Sequence, residues 1–113
     1  MRNVTELSKM KGRVVVYLKD SVIGRKFMRD AEEEGFTFGD SIKPTSNPLD
    51  SVIAVNRDWT LNYVGYIGHL AFFEGADEPD TGWIRIDYEK YILGEEDYFY
   101  VREKPKYSQK YQD

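Results

Sequence analysis

The chain has 113 residues, which is enough for one domain with a single core and too few for two. It contains no cysteine, and this excludes disulfides, thiolate catalysis and zinc sites built on cysteine. Its 20 acidic and 16 basic residues give a net charge of -4, which argues against broad, sequence-independent attraction to nucleic acid. We therefore expect a domain stabilised by packing, with no direct nucleic-acid binding.

The cellular compartment is predicted from hydropathy. No stretch approaches the ~20 consecutive apolar residues that a membrane span requires. The charged N-terminal segment lacks the apolar centre of a signal peptide. We therefore expect a cytoplasmic protein with no membrane partner.

The first third of the chain predicts a strand, helix, strand unit. A short helix is expected over residues 3–10, and the β-branched run at 13–18 is typical of a central strand covered on both faces. The principal helix is expected over about residues 20–34, because apolar residues recur there at helical spacing. They are Ile23, Phe27, Met28 and Ala31. A second strand at 36–38 should run parallel to the first if both belong to one sheet.

The middle of the chain predicts a loop and a hairpin. Residues 40–50 carry too few apolar side chains for anything but a loop or a lid. Residues 51–56 and 59–65 look like the two strands of a hairpin, joined around Arg57 and Asp58. The short apolar run at 69–73 is compatible with either a strand or a helical turn.

The remaining segments complete the predicted fold. Residues 83–88 alternate like a strand with one buried and one available face, and a helical turn at 91–93 and an edge strand at 99–101 follow. The expected fold class is therefore α+β, one domain over residues 1–113, with a mixed and mainly antiparallel sheet on which the principal helix packs. The polar tail at 102–113 has a composition that is usually left disordered, so an ordered tail needs a second subunit or crystal packing to hold it. The second subunit is the simpler candidate, and we therefore expect a homo-oligomer, a dimer or larger.

Conventional catalytic and metal sites have no support in the sequence. His69 is the only histidine, no Gly-x-Ser-x-Gly elbow is present, and the Lys-Ser/Thr of a phosphate-binding loop is missing. The acidic run at 77–80 has Pro79 where an EF-hand loop needs a side-chain ligand, so it is interpreted as a solvated loop. We expect a protein that is not an enzyme and has no cofactor or metal.

A set of arginine and aromatic residues suggests a nucleotide-like ligand. Guanidinium groups bind phosphate in bidentate fashion, and indole rings stack on bases. Arg25 stands near the start of the principal helix, where backbone N–H groups also favour an anion. The candidate ligand-binding residues are Arg57, Trp59, Trp83, Arg85, Arg25 and His69. The competing interpretation places both tryptophans in the core and the arginines in solvent.

A resemblance adds a biological setting. The run from Ala31 to Phe36, followed by Phe38-Gly39-Asp40 and Lys43-Pro44-Thr45, resembles small accessory proteins of phages and prophages of Gram-positive bacteria. The resemblance covers about residues 12–46 and extends to the sponges that sequester cyclic ADP-ribose-type signals of the Thoeris defence system. It implies a counter-defence protein, acting in the cytoplasm of an infected bacterial host, that sequesters a small nucleotide-derived immune signal such as a cyclic ADP-ribose-like molecule or a cyclic oligonucleotide. The alternative is an acidic protein-protein inhibitor of a host defence nuclease, similar to anti-CRISPR factors.

Overall fold

The structure, a computed structural model, describes residues 2–74 and 82–101. Four α-helices and five strands occur along these residues, and no helix among them is long and apolar enough to cross a membrane. In chain order they are α1 (Val4–Ser8), β1 (Arg13–Tyr17), α2 (Ser21–Glu33), β2 (Thr37–Phe38), β3 (Val52–Val55), β4 (Thr60–Tyr63), α3 (Gly65–Glu74), β5 (Trp83–Asp87) and α4 (Tyr88–Ile92). A 3-10 turn, Pro44–Ser46, lies between β2 and β3.

The five strands form one mixed sheet in the order β2-β4-β3-β1-β5. The central strand β3 is antiparallel to both of its neighbours, while the pairs β1–β5 and β2–β4 are parallel. It follows that β1 and β2 run in the same direction, as predicted, with β3 and β4 between them. The predicted single α+β domain with a mixed sheet is confirmed, and its parallel and antiparallel pairs are equal in number rather than mainly antiparallel.

The principal helix α2 packs on one face of the sheet, as predicted. Asp20 caps it by accepting a hydrogen bond from the backbone N–H of Ile23 at 2.9 Å. Gly35, with φ of 96°, supplies the left-handed turn that follows the helix. The helix buries Ile23, Gly24, Phe27, Met28 and Ala31. Of these, Ile23, Phe27, Met28 and Ala31 belong to the larger core cluster, together with Val14, Val16, Ile53, Leu61 and Ile86 of the sheet.

The opposite face of the sheet is covered by α3, the segment that the sequence left open between helix and strand. Phe72 is fully buried and packs with Val15, Val52 and Ala54 in a second core cluster. The strand β1 is therefore covered on both faces, as its β-branched run predicts. The prediction of an available face on β5 is wrong, because Arg85 is only 9% exposed. Alternation detected the apolar face, but the second face is covered at Arg85 by α3, whose backbone carbonyls accept hydrogen bonds from that side chain.

The C-terminal elements follow β5 directly. Asp87 caps α4 by accepting from the backbone N–H of Lys90 at 3.3 Å, and Gly94, with φ of 82°, follows the helix. The predicted edge strand at 99–101 is reduced to one antiparallel bridge, between Ile86 and Phe99. The predicted acidic loop at 77–80 and the polar tail at 102–113 lie outside the described residues.

Candidate functional site

A groove of about 320 Å³ lies between α2 and the segment that follows β2. This volume falls at the lower end of the range of small-molecule pockets, roughly 300–1,000 Å³. The lining combines two guanidinium groups, a hydroxyl, an amide and two apolar side chains. These belong to Arg25, Arg29, Thr45, Asn47, Met28 and Leu49. Such a lining can hold an anionic group at one point and an apolar or planar group beside it.

The cationic side of the groove comes from one face of α2. Arg25 and Arg29 are four residues apart and both exposed, so they lie one helical turn from each other. Like charges at this spacing destabilise a helix by about 0.2–0.5 kcal/mol, a cost that a bound anion would remove. Lys26, the residue next to Arg25, pairs with Asp30 at 3.2 Å. The exposed cationic face of α2 beside the groove is therefore formed by Arg25 and Arg29.

The other wall of the groove is the predicted loop at 40–50, which packs against α2. A carboxylate oxygen of Glu32 accepts hydrogen bonds from the backbone N–H of Thr45 at 3.1 Å and from its hydroxyl at 2.5 Å. These bonds, together with the nearby charge of Lys43, hold the pKa of Glu32 below its ordinary value. A methyl group built at Gly24 would lie 3.4 Å from a side-chain carbon of Leu49, an ordinary van der Waals distance. Leu49 therefore lies close to the helix at Gly24.

Four of the six arginines in the described part of the chain have partners inside the protein. They are Arg2, Arg57 and Arg85, which donate to backbone carbonyls, and Arg13, which lies 5.5 Å from the centre of the Trp83 ring. The other two, Arg25 and Arg29, make no salt bridge or side-chain hydrogen bond within those same residues. Their guanidinium groups are therefore available to an external anion.

The predicted residues Arg57 and Trp59 lie together at the turn between β3 and β4. Nη2 of Arg57 donates to the carbonyl of Met10 at 3.1 Å. Trp59 is 47% exposed, has a φ of 67° and packs against the ring of Phe36, 5.1 Å between centroids. Together with α1 they line a shallow site of about 230 Å³. Trp59 is therefore neither sealed in the core nor free of it.

The other predicted pair, Trp83 and Arg85, lies on the α3 side of the sheet. The guanidinium of Arg85 lies 5.4 Å from the Trp83 ring. It donates from Nε to the carbonyl of Phe72 at 3.1 Å and from Nη2 to that of Ala71 at 3.0 Å. Burial lowers the pKa of Arg85. These bonds assign Arg85 to the attachment of α3.

The structure does not bring the two predicted pairs onto one concave surface. The strands that carry Trp59 and Trp83, β4 and β5, are separated by β3 and β1, which is three strand spacings or about 14 Å. The two rings also pack against opposite faces of the sheet, Trp59 against Phe36 of the larger core cluster and Trp83 in the second. The two predicted pairs and Arg25, which lies in the groove, thus occupy three separate places.

His69, the last of the predicted residues, joins α3 to the end of the 40–50 segment. Its Nε2 lies 2.9 Å from Oδ1 of Asp50, and its ring is 6.1 Å from that of Phe73. Asp50 directly follows Leu49 of the groove wall. His69 therefore supports the position of that wall rather than lining the groove.

Sequence reasoning missed most of the groove lining. Arg29 stands four residues after Arg25, and this spacing was a usable signal. Thr45, Asn47 and Leu49 sit in the segment predicted as a loop or lid, and nothing in their pattern indicates which helix the segment contacts. Among the described residues, no cluster of three acidic or histidine side chains suits a metal ion.

Neither a protein-family model nor the sequence of a curated protein matches this chain, and no solved structure matches it.

Proposed function

We propose that the chain is a non-enzymatic binding protein for a small phosphorylated, nucleotide-like molecule, held in the groove between α2 and residues 43–49. The observation that carries the proposal is the pair Arg25 and Arg29, two exposed guanidinium groups without partners in the described part of the chain. They stand beside the exposed apolar side chain of Leu49. Charge on the rim and apolar surface beside it match the two ends of a nucleotide.

The phosphate end of the ligand would bind the two arginines. Each guanidinium presents a planar fork that matches two phosphate oxygens, and two forks one turn apart can hold one phosphate or two joined phosphates. The net charge of -4 repels long polyanions, so a local cationic pair favours a small anion over a nucleic acid.

The ring end of the ligand would pack on Leu49, which is 39% exposed. The amide of Asn47, whose Nδ2 donates to the carbonyl of Lys43 at 3.0 Å, also lines the groove and adds hydrogen-bonding atoms for ring substituents. The site therefore supports recognition of one phosphate-bearing unit with its attached ring.

The biological setting of the proposal comes from the resemblance of residues 12–46 to phage accessory proteins. In that setting the ligand is a nucleotide-derived immune signal, cyclic ADP-ribose-like or a cyclic oligonucleotide, and the protein acts by sequestering it. Sequestration needs tight binding and no chemistry. The groove lining offers binding groups and no acid-base pair, which is consistent with that mode of action.

The experiment is a thermal-shift screen followed by calorimetry on the full chain. The probes are ADP-ribose, cyclic ADP-ribose, cyclic dinucleotides and inorganic phosphate. A ligand that binds the native state raises the melting temperature by mass action. We expect Arg25→Gln and Arg29→Gln each to weaken binding about 10- to 100-fold, since a charge-assisted hydrogen bond is worth about 1.5–3 kcal/mol. The matched control is Lys11→Gln, which removes one exposed charge outside the groove.

Two further measurements separate this proposal from its competitors. Arg57→Gln tests the shallow site beside Trp59. If Arg57→Gln loses binding while Arg25→Gln binds like the wild type, the ligand occupies the shallow site and not the groove. The bound molecule is released by denaturation and identified by mass spectrometry, and an altered product would indicate an enzyme. If no nucleotide probe shifts the melting temperature, the proposal is wrong.

A further inference from the structure

The helix α3 exposes an apolar stripe on the side facing away from the sheet. Tyr66 is 77% exposed, Ile67 74% and Leu70 40%, and Ala71 next to them is exposed as well. These positions follow the three- and four-residue spacing of one helical face. A helix that is apolar on all sides is typical of a buried environment, yet only one side of α3 is covered by its own domain. We name these four residues the α3 stripe.

The orientation of α3 is fixed, so the stripe cannot turn inward. Its other side buries Phe72 completely. Arg85 holds the carbonyls of Phe72 and Ala71, and His69 reaches Asp50 at 2.9 Å. These contacts hold α3 against the rest of the domain at His69, Ala71 and Phe72. The exposed residues are therefore a stable surface feature of the folded domain.

We infer that the α3 stripe is the contact surface for a second copy of this chain in an isologous dimer. In a two-fold contact the same patch meets itself, so any charge near the axis faces its own copy. From Gly65 to Phe73 the helix carries no lysine, arginine, aspartate or glutamate, and its histidine is engaged with Asp50. An uncharged apolar stripe is complementary to itself, whereas the rest of this acidic chain repels a copy.

The size of the stripe suits a weak, reversible dimer. With about 150–250 Å² for a large side chain, the exposed fractions leave roughly 350 Å² of apolar surface on each copy. Patches of about 300–600 Å² are the largest that monomers usually expose. Two copies would bury about 700 Å² of it and their polar rims in addition, which places the contact among small interfaces of under ~1,200 Å². A lipid surface fits less well, because α3 has no basic residue to meet anionic head groups.

Sedimentation equilibrium of the full chain tests this inference, over about 1–500 μM, the range in which small interfaces dissociate. We expect the wild-type mass to rise from 13.3 kDa towards twice that value. Ile67→Glu places a charge on the axis and should weaken association about 100-fold. The matched control is Leu93→Glu, an apolar residue 68% exposed outside the stripe, which should associate like the wild type.

The outcomes separate clearly. A wild-type chain that stays at 13.3 kDa throughout overturns the inference, and so does an Ile67→Glu variant that associates normally. Monomeric protein that sediments with anionic vesicles would assign the stripe to a membrane instead. If Ile67→Glu fails to fold, judged by its circular dichroism, Tyr66→Lys replaces it. Because α3 does not line the groove, these variants should keep any ligand-induced thermal shift, so failure of the dimer and failure of ligand binding are distinguishable.

Discussion

Replacing Arg85 with methionine removes the guanidinium and keeps an unbranched apolar stem. Two charge-assisted hydrogen bonds, to the carbonyls of Phe72 and Ala71, would be lost, and the buried Phe72 carbonyl would lose a donor. Each bond of this kind is worth about 1.5–3 kcal/mol. Methionine also relieves the desolvation that lowers the pKa of Arg85, so the net loss in the free energy of unfolding should be about 2–4 kcal/mol.

Urea denaturation followed by circular dichroism measures this loss, with the slope checked for a change in the surface exposed. The matched control is Arg57→Met, the same substitution at an exposed arginine with one hydrogen bond, to Met10, which should cost less than about 1 kcal/mol. If Arg85→Met is no more destabilising than Arg57→Met, the assignment of Arg85 to the attachment of α3 is refuted. Arg85→Met should also leave ligand affinity unchanged, since Arg85 does not line the groove.

Three other substitutions probe the core, the groove wall and α3. Tyr88→Phe removes a hydroxyl that donates to Asp30 at 2.6 Å and should cost about 1.5–3 kcal/mol by urea denaturation, while Tyr98→Phe should cost little. Glu32→Gln tests the lowered pKa of Glu32. The stability that the Glu32 carboxylate contributes is present above its pKa in the unfolded chain and is lost as pH falls through its lower pKa in the folded protein. The melting-temperature difference from wild type should therefore shrink on acidification. Gly68→Ala would bring a methyl group to 2.4 Å from Val64 and should lower the melting temperature, although alanine is usually preferred to glycine in helices. The control Gly39→Ala, whose added methyl group would have open space around it, should not lower the melting temperature.

The elements predicted well are those whose signal is local. In α2, the cap at Asp20, the apolar spacing of Ile23, Phe27 and Ala31, and the stop at Gly35 all lie within sixteen consecutive positions. The hairpin of β3 and β4 has the same property, because its strands and turn are contiguous. Local signals of this kind need no knowledge of what packs where. They defined the α+β class and the principal helix.

The arrangement of the candidate site was not predictable in the same way. Trp59 and Trp83 belong to strands that are distant in the sheet order, and that order depends on pairings between segments far apart in sequence. Whether Arg85 is covered depends on which face of the sheet α3 packs against, and α3 is apolar on both sides. When an alternating strand lies next to a helix that has no polar side, the sequence does not show which face of the strand the helix covers.

The arginines show why residue type alone does not locate a binding site. Arg85, on the alternating strand, was predicted to lie on an available face and bind a ligand, yet it donates to backbone carbonyls of α3. Arg29 has Glu33 four residues ahead, a spacing that predicts a salt bridge, yet the structure forms none between them. Arg25 has no acidic residue at that spacing on either side. Which guanidinium stays available is decided by the carbonyls and rings that the fold brings within reach, and here that selection leaves Arg25 and Arg29 beside the groove.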